Sequence, residues 1–229
     1  MIDFPVDTHA HTLYYGIDMR KHRDVLITHD HQDHFFRLGM NSRFQDDGEW
    51  RFYLPPDSAK PERDRQAAIL ASNKQIPPRR AVTILYAVPF TTMTIQGYHV
   101  TALPANHVKN LQCVLYLIEK DRKAVFWAHN TGLLPEETVE YFRKRKFQLN
   151  AVSLDCTLKR GNPITPAHMD ILRCKQTVGM LRSFGCIDDS TVIVLSHFGH
   201  LVERTHQEMV EEAAEFGMIP AFDGMEIEI

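Results

Sequence analysis

The stretch of this sequence with the most potential for chemistry is a dense group of histidines and aspartates. Residues 29–34 hold three histidines and two aspartates, in the order His29, Asp30, His31, Gln32, Asp33, His34. Neutral imidazoles and carboxylates are ligands for zinc, manganese and iron in proteins. A tight loop can direct such closely spaced side chains around a point, whereas one strand face or one helix cannot. The spacing therefore predicts a metal site, and its paired ligand positions suggest two metals roughly 3.5–4 Å apart.

This group directly follows a short apolar run, Val25-Leu26-Ile27, which is typical of a buried strand. The carboxyl end of a strand is where α/β folds tend to place their sites. A polar surface loop that carries its histidines by chance is the alternative interpretation. The density of ionisable residues and their position at a strand end favour the metal site.

Strands and helices alternate along the chain without a linker, a repeat or a low-complexity tract. Runs rich in Val, Ile, Leu and aromatic residues predict strands at 81–88, 111–119, 123–128, 149–155 and 190–196. Apolar spacing and end signals predict helices at 135–146, 166–184 and 203–216, with a charged surface helix expected at 56–66. We interpret residues 1–229 as one α/β domain with sheets inside and helices outside.

The composition limits the partners and the compartment of the protein. Its net charge of −3 provides no overall positive field that would attract nucleic acid, although this does not exclude a local basic patch. The four cysteines are widely spaced and form no CxxC pair, which predicts reduced, mostly buried thiols in a cytoplasmic protein. No signal peptide is apparent and no apolar run approaches the length of a membrane span, so we expect no membrane partner.

The HxHxDH spacing after a strand resembles the signature of the metallo-β-lactamase superfamily, and other parts of the chain extend the resemblance. "VTALPANH" ends in His107, "FWAHNTG" occupies the place of an Asp-Thr-Gly turn, "VIVLSHFGH" offers His197, and "MIDFP" offers an early Asp3. The order and intervals agree along nearly the whole chain. Within the superfamily, "PAHMD" and "AFDGMEIEI" are similar to the phosphoribosyl cyclic phosphodiesterases of phosphonate breakdown. The resemblance implies an αββα sandwich.

The resemblance also implies a role for each of these residues. Two divalent metals are implied, zinc or manganese, with iron as a further option. The first would be held by His29, His31 and His107, and the second by Asp33, His34 and His197. Asp3 would orient the ligands from outside. Asp33 would also position the attacking hydroxide, and His168 in "PAHMD" would protonate the leaving oxygen. The alternative for His168 is a histidine in the first turn of an exposed helix.

Two features depart from the family pattern. Asn130 stands where the family has an aspartate that bridges both metals, and an amide cannot supply that anionic oxygen, so we expect the second metal to bind more weakly. His129 beside it is a poor substitute, because adjacent residues point in different directions. The chain also starts at the Asp3 strand, so the glycine-rich opening hairpin of the family is expected to be absent, which would leave an exposed sheet edge.

The function implied is metal-assisted hydrolysis of a small or cyclic phosphodiester. An RNA-processing nuclease of the same superfamily is an alternative, although no basic arm is visible, and a thioesterase would need a helical domain for which the chain has no room. A degenerate member that binds a metal, ligand or partner without turnover is a third hypothesis. A metal barrel of the amidohydrolase type, suggested by "VDTHAHTL", would need further ligands and is disfavoured. The sequence does not distinguish a monomer from a homodimer.

Overall fold

The computed structural model describes residues 1–42, 48–71, 82–145, 147–162 and 164–229. Contacts within the chain divide it into two compact units, Met1–Pro89 and Phe90–Ile229. Each unit has its own sheet and its own apolar core. Two ends of predicted elements, Ala81 and Lys146, lie outside the described residues. The single domain over 1–229 stays a prediction.

The first unit is built on a parallel three-stranded sheet in the order β1-β2-β3. Its elements are α1 (Thr8–Tyr14), β1 (Asp24–Leu26), α2 (Arg37–Ser42), β2 (Trp50–Leu54), α3 (Pro56–Ala71) and β3 (Val82–Tyr86). The apolar strand residues pack into a core with Phe4 and Phe35, which lie on either side of the histidine group in the sequence. Backbone bridges from Ile2 to Leu26 and from Phe4 to Phe35 tie the start of the chain to this core.

The second unit contains a mixed seven-stranded sheet in the order β10-β9-β8-β7-β6-β5-β4. Strands β4 to β7 pair antiparallel, and β7 to β10 pair parallel. The elements are β4 (Thr92–Ile95), β5 (Tyr98–Pro104), β6 (Val114–Lys120), β7 (Lys123–Ala128), α4 (Glu136–Arg145), β8 (Ala151–Asp155), α5 (Ile171–Ser183), β9 (Val192–Ser196), α6 (His206–Ala214) and β10 (Ile219–Pro220).

The two faces of this sheet differ because alternate strand residues point to opposite sides. Phe126, Val152 and Leu154 pack into a core with apolar residues of α4 and α5. The parallel strands end at one edge, and the loops that follow β7, β8 and β9 carry Asn130, Thr157 and His197. Loops of this kind are common carriers of sites in α/β proteins.

The predicted α/β class is confirmed, and all six predicted strands and four predicted helices are present, most of them with shifted ends. The helix predicted at 166–184 was wrong at its start, because α5 begins at Ile171. The side chain of Asp170 accepts a hydrogen bond from the Arg173 backbone N–H, and an N-cap of this kind ends the preceding turn. His168 therefore lies in a loop rather than in a first helical turn. Among the described residues, all four cysteines are buried.

Candidate functional site

Three histidines of the first unit converge at the end of β1. The ring of His29 lies 4.4 Å from that of His31 and 4.5 Å from that of His34, measured between centroids. His29 and His34 are buried, whereas His31 is exposed. Asp33 is also exposed, with a carboxylate oxygen 3.4 Å from His34 Nε2. The loop therefore brings together all four of its predicted ligands, with some side chains anchored and others facing solvent.

Asp3 anchors this loop from a buried position. Its carboxylate accepts hydrogen bonds from the Thr28 backbone N–H at 2.8 Å and from the Thr28 hydroxyl at 3.0 Å. His34 Nδ1 lies 2.7 Å from the same carboxylate, so the imidazole donates its Nδ1–H there. The backbone of Asp3 has φ 58°, a left-handed conformation that costs free energy in a non-glycine residue. The surrounding hydrogen bonds hold it there.

Replacing Asp3 with alanine is expected to weaken divalent metal binding by about 10- to 100-fold, because the orientation of His34 and the Thr28 turn depend on this carboxylate. Competition with a chromophoric chelator measures the affinity. Asp7→Ala, a change of an exposed aspartate of the same unit, is the matched control and should bind metal as the unchanged protein does. Equal affinity in both variants would contradict an orienting role for Asp3.

In the second unit, Asn130 and His197 lie in contact. Asn130 Nδ2 is 3.0 Å from His197 Nε2, and His197 Nδ1 is 2.7 Å from the Thr157 hydroxyl. Both residues have left-handed backbones, with φ 52° for Asn130 and φ 59° for His197. Asparagine and histidine are both found in this region more often than most other non-glycine residues. Residue 130 therefore directs its side chain toward a predicted metal ligand.

His168 is held by Asp155, a residue that belongs to none of the motifs in the sequence. The His168 Nδ1 nitrogen lies 2.8 Å from Asp155 Oδ2, and this carboxylate is fully buried at the end of β8. Asp155 also accepts hydrogen bonds from the backbone N–H groups of Asn130 at 3.1 Å, Thr157 at 3.2 Å and Met169 at 3.0 Å. One carboxylate therefore ties the loop after β7 to both ends of the segment that connects β8 to α5.

The environment of Asp155 keeps it ionised. Burial on its own would raise the pKa of this carboxyl, but the hydrogen bond from His168 and the charges of His197 and His168 outweigh it, so the pKa lies below its ordinary value. Ligand atoms of Asp155, His168 and His197 lie within 4.8 Å of one another. The hydrogen bond from His168 and the 3.6 Å separation between His197 Nδ1 and the same carboxylate indicate a positioning network around two imidazoles. The only sequence signal for Asp155 was an aspartate at the end of a strand.

His107 follows β5 and turns toward the His168 loop. Its Nδ1 donates to the Ala167 carbonyl at 3.3 Å, and its ring centroid lies 4.9 Å from that of His168. Gly132 makes this approach feasible, because a Cβ there would stand 1.6 Å from the Pro166 carbonyl oxygen. The Gly132 N–H also donates to the Asn106 carbonyl at 2.8 Å. The glycine of "HNTG" thus joins the loops that carry His107 and His168.

His129 takes a different direction from Asn130. Its Nε2 lies 2.7 Å from the Ser153 hydroxyl, and its ring packs 4.0 Å from that of Trp127. The ring centroid is 6.3 Å from that of His197. The two histidines of "VDTHAHTL", His9 and His11, lie in α1.

Four of the five candidate histidine ligands share one feature, which is an Nδ1 atom occupied by a protein group. The partner is the Asp3 carboxylate for His34, the Ala167 carbonyl for His107, and a threonine hydroxyl, 3.1 Å and 2.7 Å away, for His29 and His197. A neutral imidazole that donates through Nδ1 carries its lone pair on Nε2. Histidines that bind metals commonly have such a partner on their other nitrogen. The chemistry of these donors fits a divalent metal.

Comparison with known proteins places this geometry in a family context. The profile of the beta-lactamase superfamily domain matches residues 7–198. A search of curated proteins finds no match to the chain. Among the described residues, no helix combines the length and apolar character needed to span a membrane.

Solved structures with a similar fold include proteins of several kinds. Human tRNase Z, short form, has a TM-score of 0.69 at 15% identity, covering 100% of this chain and 87% of its own. The metallo-beta-lactamase fold protein YhfI from Bacillus subtilis has a TM-score of 0.68 at 15% identity, covering 98% and 85%. Zn²⁺-bound PqqB from Methylobacterium extorquens has a TM-score of 0.67 at 15% identity, covering 100% and 82%. These identities support the fold alone, and the profile match over most of the sequence shows that the chain belongs to the beta-lactamase superfamily.

Proposed function

We propose that this protein is a metal-dependent phosphodiesterase that hydrolyses a small or cyclic phosphodiester with two divalent metals. The first metal would be bound by His29, His31 and His107. The second would be bound by Asp33, His34 and His197, with Asn130 beside it. Zinc and manganese suit this mixture of imidazoles and one carboxylate, and iron is a further option.

The observation that carries the proposal is an arrangement that four of the candidate ligands share. His29, His34, His107 and His197 each have an Nδ1 partner in the protein. A chance group of surface histidines would have no reason to share this arrangement, since each partner comes from a different part of the sequence. Two of these histidines, His29 and His34, are also buried, and burial of a polar ring is unfavourable unless its nitrogens are satisfied.

When bound, two divalent cations would lower the pKa of water and polarise the scissile phosphorus–oxygen bond. Asp33, an exposed carboxylate, would orient the attacking water. His168 would deliver a proton to the leaving oxygen through Nε2, since its Nδ1–H is directed at Asp155. The buried Asp155 carboxylate would stabilise the charged imidazole before the transfer and fix its ring plane, which makes Asp155 a positioning residue.

The test combines metal content and activity in one preparation. Elemental analysis is expected to find two divalent ions per chain after reconstitution with Mn²⁺ or Zn²⁺, and the protein should hydrolyse bis(p-nitrophenyl) phosphate. One metal or none, together with no turnover, would favour a member of the family that binds a ligand without catalysis. Asn130 is the observation that supports this second candidate, because the family has a bridging carboxylate there.

His168→Ala is expected to slow hydrolysis by about 10²- to 10⁴-fold when the leaving alcohol is poor, because proton donation then limits the rate. With p-nitrophenolate as the leaving group the loss should be much smaller, since this anion departs without a proton. Rates for methyl p-nitrophenyl phosphate and for an alkyl cyclic phosphate measure the difference. His206→Ala, at an exposed position of the same unit, is the control. An equal loss on both substrates would exclude His168 as the general acid.

An RNA-processing nuclease is the other candidate, and the fold similarity to human tRNase Z supports it. The net charge of −3 weighs against a nuclease, because affinity for RNA depends strongly on basic groups. A precursor tRNA with a 3′ trailer distinguishes the two. Cleavage of that RNA at low protein concentration would favour the nuclease, whereas hydrolysis of cyclic phosphodiesters without RNA cleavage would favour the phosphodiesterase.

A further inference from the structure

The second unit contains a cavity that none of the candidate catalytic residues lines. Its volume is about 380 Å³, and its walls come from the sheet and from the C-terminal segment 221–229. Cavities of this size are typical of sites for small molecules. The sheet contributes one face of three adjacent strands, where Trp127 pairs with Ser153 and Ser153 pairs with Val194.

The walls of the cavity are mainly apolar. Val125, Ala151 and Val194 line it from the sheet, and Met225 and Ile227 line it from the C-terminal segment. Three of these five residues are only partly buried or exposed, so the cavity keeps apolar surface that a ligand could cover. Covering such surface is favourable by about 25 cal/mol for each Å² removed from water.

Polar groups in the cavity point to a specific ligand charge. The lining includes the hydroxyl residues Ser153 and Ser196 and a single ionisable side chain, Asp223, while none of the lining residues is basic. Among the described residues, the Asp223 carboxylate has no ion-pair partner. Glu226 and Glu228 lie exposed in the same C-terminal segment. The electrostatic environment therefore favours a cation and disfavours an anion.

Trp127 adds a second group that attracts cations. Its indole lines the cavity and is held by contact with the ring of His129, at 4.0 Å between centroids. The face of an indole attracts an ammonium group within about 6 Å. Ser153, which lies opposite Trp127 in the register, is fixed through its 2.7 Å contact with His129 Nε2 and offers a hydroxyl oxygen as an acceptor. A carboxylate, an indole and hydroxyls form a suitable set for a primary ammonium group.

We propose that this cavity binds an apolar organic amine, with the hydrocarbon part against the sheet and the C-terminal segment and the ammonium group toward Asp223 and Trp127. This site is separate from the proposed phosphodiesterase function, since it uses none of the candidate metal ligands and contains nothing that would bind a phosphate. Its failure would leave the phosphodiesterase proposal unchanged.

The test compares three ligands of equal size and different charge on the full chain. The probes are 4-phenylbutylamine, 4-phenylbutan-1-ol and 4-phenylbutyrate, titrated by calorimetry and by quenching of tryptophan fluorescence. The chain has two tryptophans, and Trp127 is the one in the cavity. We expect the amine to bind with a Kd on the order of 1 mM or tighter, the alcohol more weakly, and the carboxylate most weakly.

Substitutions at two exposed aspartates test whether the charge of Asp223 contributes to amine binding. Asp223→Asn is expected to weaken amine binding by about two- to fivefold, the range of an exposed ion pair, and to leave binding of the alcohol unchanged. Asp189→Asn, the same chemical change at a residue whose side chain is 98% exposed and that does not line the cavity, should affect none of the three ligands. Neither substitution removes a core contact, so both variants should fold.

Two results of the titrations would overturn the proposal. One is equal affinity for the amine, the alcohol and the carboxylate, which would indicate nonspecific apolar binding. The other is absence of amine binding at millimolar concentrations in the unchanged protein. A filled cavity provides an independent check, because Ala151→Phe should abolish amine binding while thermal unfolding shows whether the variant is folded. Amine binding that persists in a folded Ala151→Phe variant would also contradict this location.

Discussion

Alanine in place of His29 is expected to lower the affinity for one divalent metal by more than about 100-fold, beyond the loss typical of residues that only orient a ligand. Two imidazoles would then remain at a position that needs three. His29 is fully buried and its Nδ1 lies 3.1 Å from the Thr28 hydroxyl, so its Nε2 is held in a fixed direction.

His107→Ala should produce the same loss, because His107 belongs to the same proposed ligand set. Dialysis against a mild chelator, followed by elemental analysis, measures the metal that each variant retains. His9→Ala, at an exposed histidine of α1, is the control and should retain both metals. Restoration of metal binding in His29→Ala by added imidazole would distinguish loss of a ligand from loss of structure. If both variants keep full occupancy, the assignment of the first metal is wrong.

The sequence identified the candidate ligands because their spacing does not depend on exactly where the neighbouring strands and helices end. The HxHxDH group needs only a short loop after a strand, and that loop is present after β1. His197 could be predicted for the same reason, since it follows the apolar run of β9 directly. Periodicity located most strands and helices, because burial of one face imposes a repeat on the residue types.

Asp155 could not be predicted, because its role depends on tertiary contacts. It lies thirteen residues before His168 in the sequence, and no spacing rule joins a strand end to a loop at that distance. The predicted start of α5 was wrong for a related reason. The apolar pattern of 166–184 includes loop residues that precede the helix, and Asp170 is the N-cap at which the helix begins. Short strands with mixed residues, such as Thr92–Ile95, lacked a clear pattern. In each case the deciding interaction is a contact between distant parts of the chain.

Asn130→Asp is expected to tighten the binding of the second metal and to increase the rate of phosphodiester hydrolysis. The amide nitrogen of Asn130 now lies 3.0 Å from His197 Nε2 and can donate to the lone pair that a metal would use. A carboxylate in its place would present an anionic oxygen to the same lone pair. The carboxylate and the imidazole lone pair would repel each other unless a cation or a proton lies between them. The substitution therefore favours the metal-bound state, because it removes the hydrogen bond from Asn130 to His197 and adds an attraction between the carboxylate and the metal.

The magnitude follows from charge and distance. A carboxylate about 4 Å from a divalent cation gains on the order of several kcal/mol in a partly dehydrated site, even with an effective dielectric constant near 20. The structural cost is small, because aspartate has the shape of asparagine and also tolerates the left-handed backbone that residue 130 adopts at φ 52°. The backbone N–H of residue 130, which donates to Asp155 at 3.1 Å, is retained.

A side-by-side metal titration and rate measurement at fixed pH tests this prediction. Asn150→Asp is the matched control, because it adds the same charge just before β8, at the opposite end of that strand from Asp155, and keeps the oxygen that accepts from the Ala124 N–H at 2.9 Å. The control should leave metal stoichiometry and rate unchanged. If Asn130→Asp also leaves both unchanged, residue 130 does not act on the metals, and the correspondence of "HNTG" with the family's aspartate turn has to be abandoned. A tighter second metal without a faster rate would place the chemical defect elsewhere, with His168 and Asp155 as the first residues to test.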